Sequence, residues 1–324
     1  MRYSLLLLFI LFQAFAGEWE VFKKNFVKPE GNIVDPYNCY RTTSEGQGYG
    51  MLLAVLNNDK KAFDRIWMWT KKNLKNKEGF FSWHWNGGKV VDSNNALDAD
   101  LFITYSLLLA WKKWHLNSYL NEFKTLEKNL EKFILPICYL NKKDYILLPA
   151  YYGFLKEKSL TITLFPSYYV PFIFKDFAIF TKNPIWNELY NYTYNIYTLR
   201  DLTTNLYYSL LEKKLKKGKF VDLDAYRVIL YSYIDSPEKL KSLKDSFYSV
   251  NRFFIKNGYI PLRYEYNKQT QTKKESPYCV YRWFYLLYKN KRYLERYNKL
   301  KAVDKKNYFC EALDILYENF ERGM

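Results

Sequence analysis

The stretch Asp92–Trp114, DSNNALDADLFITYSLLLAWKKW, passes from a polar, asparagine-rich run into apolar residues spaced three and four apart from Leu97 onward. That period belongs to a helix with one side on a core. The same spacing recurs around Gly50–Leu56, Lys61–Leu74, Ser118–Ile134, Tyr168–Phe180, Pro184–Tyr197, Leu202–Leu215, Ala225–Tyr233, Pro237–Ile255, Tyr278–Tyr288 and Tyr308–Phe320. Start and stop signals agree with it: Pro184 and Pro237 stand near first turns, Asp59 can cap the helix after it, and Gly258 follows a helix end. Strand character is confined to Asp144–Tyr152 and Phe80–Val91. Strands and helices do not alternate, which excludes a doubly wound sheet and a (β/α)8 barrel. The expected class is all-α, with the helices in a bundle, a solenoid or a closed ring of hairpins.

A chain of 324 residues with 49% apolar and 26% charged residues is long and hydrophobic enough to bury a large core. No Ser-, Gly- or Pro-rich linker divides it, so residues 17–324 are expected to form one domain. Residues 1–16 read as a secretory signal peptide: Met1 and Arg2 begin it, Leu5–Phe15 is apolar, and Ala14-Phe15-Ala16 suits cleavage after Ala16. The apolar run is shorter than the ~20 residues a membrane helix needs. A secreted or periplasmic location is therefore expected.

Cys39, Cys138, Cys279 and Cys310 are scattered without a C-x-x-C pair, which excludes a zinc ribbon and leaves two disulfides or four free thiols open. The 50 basic and 33 acidic residues give +17, or +16 once Arg2 leaves with the signal. The lysines are dispersed over amphipathic segments and form no single stripe, so nucleic acid is not an expected partner. Aromatic residues reach 20%, more than core packing usually asks for, and suggest a surface that stacks on something flat.

His84 and His115 are the only histidines, and neither belongs to a nucleophile or metal motif. The glycines of Gly46-Gln47-Gly48-Tyr49-Gly50 follow no strand, so they are not a phosphate loop. Acid and base chemistry falls to carboxylates, and three stand where a polar stretch becomes a helix. Glu45 lies in TTSEGQGYGM, where Ser44 and Gln47 have capping-box spacing. Asp98, with Asp100 beside it, opens the helix of the first quoted stretch. Asp224 lies in DLDAYR, three residues before Arg227. Each has an ordinary explanation as a dipole-facing residue, a cap or an i,i+3 pair. Together they put acids at the amino ends of three helices.

Thr42–Met51 (TTSEGQGYGM), Asp92–Asp100 (DSNNALDAD), Pro166-Ser167-Tyr168 and Asp224–Val228 (DAYRV), in this order, resemble the motifs of glycoside hydrolase family 8. The likeness is greatest to its bacterial cellulose-synthesis-associated endoglucanases. Phe165, Leu97, Thr104 and Leu223 depart from the family's usual residues. The resemblance implies an (α/α)6 barrel and inverting, endo-acting hydrolysis of β-1,4-glucan, without metal or organic cofactor. It implies Glu45 as general acid, Asp224 as general base and Asp98 on the distorted sugar. Tyr168 and Arg227 would hold the water and the base, Trp83 would stack on sugar, and Asp100 would assist in binding. A glucan or cello-oligosaccharide is the expected ligand, a cellulose-synthesis complex a partner the resemblance suggests, and a monomer the expected state. Activity on xylan, mixed-linkage glucan or chitosan, and a silent glycan-binding protein, are the alternatives.

Overall fold

The computed structural model describes residues 17–139, 142–266 and 270–323; the signal-peptide reading of residues 1–16 lies outside the described residues. The described residues divide into two compact units, 17–129 with 306–323, and those within 130–305.

The first unit holds α1 (17–26), β1 (Thr42–Thr43), α2 (Ser44–Leu56), α3 (Lys60–Leu74), the hairpin of β2 (Ser82–Asn86) and β3 (Lys89–Asn95), α4 (Leu97–Trp114), nearly all of α5 (Asn117–Leu130), and the carboxy-terminal α12 (Tyr308–Glu321), which packs on α2. α1 buries Trp19, Phe22 and Phe26, one stripe at helical spacing. α2 is enclosed on nearly every side, with Ser44 and Gly46 through Val55 all buried. It meets α4 closely at Gly48, where a Cβ would lie 3.0 Å from Phe102 Cβ and 3.2 Å from the Ala99 carbonyl oxygen. α3 shows the ordinary amphipathic division: Phe63, Ile66, Trp67 and Leu74 face in, and Asp59 caps it by accepting from Ala62 N at 3.0 Å. The β2–β3 turn is Gly87-Gly88, both with positive φ, as a two-residue hairpin requires. β1 pairs with β2, setting Thr42 opposite Trp85 and Thr43 opposite His84.

The second unit begins with the β4 (Ile134–Tyr139) and β5 (Lys142–Leu147) hairpin. It continues with an antiparallel sheet ordered β6 (Leu155–Lys156), β7 (Thr161–Leu164), β8 (Leu206–Ser209), β9 (Lys214–Lys217), and a smaller one of β10 (Phe220–Asp222), β11 (Arg263–Glu265) and β12 (Thr270–Gln271). Its helices are α6 (Pro171–Thr181), α7 (Pro184–Tyr197), α8 (Leu223–Asp235), α9 (Tyr248–Asn257), α10 (Tyr278–Tyr288) and α11 (Lys291–Val303). Trp186, Trp283, Tyr169, Tyr197 and Tyr281 are fully buried here. The tyrosine hydroxyls find backbone: that of Tyr169 accepts from Leu147 N at 2.9 Å, that of Tyr281 accepts from Ile260 N at 2.7 Å, and that of Tyr197 donates to the Tyr169 carbonyl. Much of the aromatic surplus therefore builds core.

Several expected elements differ. Leu202–Leu215 is not a helix; β8 pairs with β7, Leu206 and Tyr208 point inward in alternation, and a turn leads to β9. The Ser118–Ile134 helix stops at Leu130, and Ile134 starts β4, which carries Pro136. The expected strand Asp144–Tyr152 ends at Leu147. Pro237–Ile255 breaks into short 3-10 turns before α9, because the carbonyls of Asp245 and Ser246 accept from Asp201 N and Leu202 N instead of continuing a helix. α11 carries too many charges for its apolar spacing to stand out, yet Tyr293 and Tyr297 bury one side of it. Cys279 and Cys310 are each disulfide-bonded, and Cys39 is free and exposed. Among the described residues no helix is long and apolar enough to cross a membrane.

Candidate active site

In the first unit, Glu45 is the second residue of α2. The helix is capped by Thr43, whose hydroxyl accepts from Gly46 N at 3.1 Å. The capping box expected of Ser44 and Gln47 does not form, because Gln47 is drawn into the core. Its carbonyl oxygen accepts from Ile33 N at 2.7 Å, and its amide donates to Thr70 Oγ1 at 2.8 Å. Tyr308, the first residue of α12, donates from its hydroxyl to Glu45 Oε1 at 3.5 Å and lies 3.4 Å from Thr43 Oγ1. Burial, reinforced by the Glu45 charge, holds the Tyr308 phenol far above its ordinary pKa, so it remains a donor.

Asp98 and Asp100 occupy the first turn of α4, and both are buried. Neither caps the helix, whose N-cap position is Ala96. Asp98 Oδ1 accepts from Ala99 N at 2.9 Å. Asp100 ties the helix to the hairpin: Oδ2 accepts from Asn95 Nδ2 at 2.7 Å and Oδ1 from Phe81 N at 3.2 Å. Burial pushes the Asp100 carboxyl up to about 8; the two hydrogen bonds oppose that rise and the Asp98 charge adds to it. Trp83 sits on β2 and is only half-buried, so its ring is not core. The Arg41 guanidinium stands 5.7 Å from its centroid and the His84 ring 4.8 Å. The hairpin register is shifted around His84, which is how consecutive strand residues bring their rings together.

In the second unit, Asp224 lies in the first turn of α8, and the cap is its neighbour Asp222. Asp222 Oδ1 accepts from Asp224 N at 3.2 Å and from Thr204 Oγ1 at 2.7 Å. The Asp222 carboxyl is raised, chiefly by burial and then by the Asp224 charge. The Arg227 guanidinium, on a side chain only 1% exposed, donates to Asp224 Oδ1 at 3.3 Å and to Ser167 Oγ at 3.4 Å. The Asp224 side chain is 52% exposed. Ser167 and Tyr168 form a single 3-10 turn after β7, and Phe165 packs against the Tyr168 ring at 5.2 Å. A half-exposed carboxylate oriented by a buried cation suits the holding of a water or a hydroxyl.

The glycosyl hydrolases family 8 model matches residues 2–323. The chain belongs to glycosyl hydrolase family 8. A solved family 8 endo-β-1,4-glucanase from an Achatina fulica gut metagenomic library superposes with a TM-score of 0.78 and 25% identity, covering 95% of this chain and 98% of that one. The endoglucanase of Escherichia coli O157:H7 is 30% identical over 272 residues, 75% of this chain and 69% of its own. That of Cellulomonas uda is 34% identical over 175 residues, 53% of this chain and 47% of its own, so the match spans about half of that relative's length. The fold is the (α/α)6 barrel of family 8.

Around the family motifs the structure adds residues that sequence reasoning passed over. Asp222 had a signal, since an acid two residues before Asp224 at a helix start is a cap pattern. Asn95 lay inside the quoted signature. Tyr308 had none, because 263 residues separate it from Glu45.

Proposed function

We propose that this family 8 chain is an endo-β-1,4-glucanase that cleaves internal bonds with inversion. Glu45 protonates the leaving oxygen and Asp224 activates the attacking water. One observation carries the assignment of the base: Asp224 is half-exposed while Arg227, its partner, is buried and also donates to Ser167 Oγ. The guanidinium fixes the carboxylate against rotation, and the exposed half of the side chain is available to a water. Tyr168, in the same turn as Ser167, helps hold that water. In the first unit the Tyr308 hydroxyl, itself beside Thr43 Oγ1, restricts the Glu45 side chain, Asp98 grips the distorted sugar, and Trp83 offers a ring to a pyranose face. The endoglucanase relatives support β-1,4-glucan as substrate. Residues 1–16 are read as a signal removed before the protein acts outside the cytoplasm. The disulfide-bonded state of Cys279 and Cys310 supports such an oxidising location.

Glu45→Gln and Asp224→Asn preserve shape but remove proton transfer, a step worth ~10² to 10⁴ in rate. Both variants should still bind cello-oligosaccharide and lose nearly all activity on carboxymethylcellulose. Inversion makes the first product the α anomer, with no covalent sugar intermediate. Proton NMR of a fresh hydrolysate settles that point, and an initial β anomer, or full activity in Asp224→Asn, would overturn the mechanism.

A further inference from the structure

We propose that one end of the β6–β9 sheet is a docking tip for an anionic lipid bilayer. Two turns meet there. The first, Glu157 to Leu160, joins β6 to β7; the second, Leu210 to Lys213, joins β8 to β9. Leu210 N donates to the Leu160 carbonyl at 2.9 Å, and the pairs Lys156↔Thr161, Thr161↔Ser209 and Ser209↔Lys214 bring all four strand ends to the same edge.

The apolar residues of this edge face outward. Leu211 is 72% exposed, Leu155 49%, and Leu160 and Leu210 39% each. Four lysines, Lys156, Lys158, Lys213 and Lys214, flank them and are exposed as well. The two acids in the turns are Glu157 and Glu212, and Glu212 is taken up by Lys216 at 2.7 Å. The edge is thus apolar at its centre and basic around it.

Left-handed residues shape both turns. Leu160 and Lys213 both have left-handed backbones, φ 45° and 52°, at positions where a glycine would be at ease. They close the two turns: Leu160 N donates to the Glu157 carbonyl at 3.3 Å, and its own carbonyl accepts from Leu210 N, which fixes the tip in place.

The occupant follows from the chemistry. Exposed leucines ringed by lysines match the layering of an anionic bilayer, where headgroups meet the ammonium groups and the leucines enter the acyl boundary. A protein interface of ordinary size needs ~800 Å² on each partner, more than two turns offer. β7 leads from the tip directly into Phe165 and the Ser167-Tyr168 turn, so a docked tip would hold this part of the proposed site one short strand from the lipid surface.

The chain from residue 17 onward, without the proposed signal, is tested by co-sedimentation with phosphatidylcholine vesicles, with and without 30% phosphatidylglycerol. Binding should require phosphatidylglycerol and fall as salt is raised. Lys158→Gln and Lys213→Gln should each weaken it about fivefold, and Leu211→Ser about tenfold. These exposed positions should leave the thermal melt unchanged, which separates loss of docking from loss of fold. The proposal fails if the chain ignores phosphatidylglycerol vesicles, or if the variants bind as the parent does. It also fails if sedimentation equilibrium without vesicles reveals a dimer that Leu211→Ser dissolves, since a second copy would then be the occupant.

Discussion

Asp100 makes the stability of this protein depend on pH, in a direction opposite to that of an ordinary salt-bridged carboxylate. Its folded pKa of about 8 lies well above the value near 4 of an unfolded aspartate. Between those values the folded chain keeps a proton that the unfolded chain has lost, so raising the pH favours unfolding. The contribution is fully present below about pH 4 and exhausted above about pH 8. In between it declines by about 1.4 kcal/mol per pH unit, on the order of 5 kcal/mol in all. In a chain of this size that is a fall in Tm of about 2 °C per unit. The Asp100→Asn variant removes the titration while an amide replaces the protonated acid; its N–H can serve Asn95 once that side chain turns its oxygen inward. Calorimetric melts from pH 5 to 8 should show the parent losing ground to the variant at every step. Parallel curves would refute the reasoning, and a variant already unfolded at pH 5 would show that the site requires the carboxylate form.

Gly48→Ala places a methyl group 3.0 Å from Phe102 Cβ and 3.2 Å from a backbone oxygen, neither of which can swing aside. The clash should outweigh the ~1 kcal/mol gain in helix propensity and give a net loss of about 1 kcal/mol in urea unfolding; a stabilised variant would mean that α2 and α4 separate easily. Trp83→Ala removes a half-buried ring and one cation–π contact worth ~0.5–1 kcal/mol, so the fold should survive while cellopentaose binding weakens. Calorimetric titration decides it, and unchanged binding would remove Trp83 from the sugar path. Chitosan should be a poor substrate, because a chain of net charge +16 without Arg2 repels a polycation at long range; faster release of reducing ends from chitosan than from any β-glucan would contradict this.

Elements whose signals are local can be read from the sequence alone. Pro184–Tyr197 and Tyr278–Tyr288 run as their spacing predicts, with Asn183 capping α7, and Asp59 and Gly258 close their helices as read. The starts of α2, α4 and α8 were legible for the same reason. A polar run followed by apolar residues at helical spacing is written within one or two turns of chain, and it carries Glu45, Asp98 and Asp224 with it. Tertiary structure decided whatever depended on a distant hydrogen-bond partner. LYYSLLEKKL fits a helix as well as a hairpin, and only the ladder to β7, more than forty residues earlier, makes it strand. Gln47 had the spacing of a capping box, but the buried Ile33 N–H and Thr70 hydroxyl engage its amide, and Thr43 caps the helix instead. Asp100 looked like Asp98 in sequence; folding directs Asn95 Nδ2 and Phe81 N onto it, and burial then raises its pKa. Buried polar groups must be satisfied wherever the chain brings them, and the partners that satisfy them are chosen by packing, which no local pattern records.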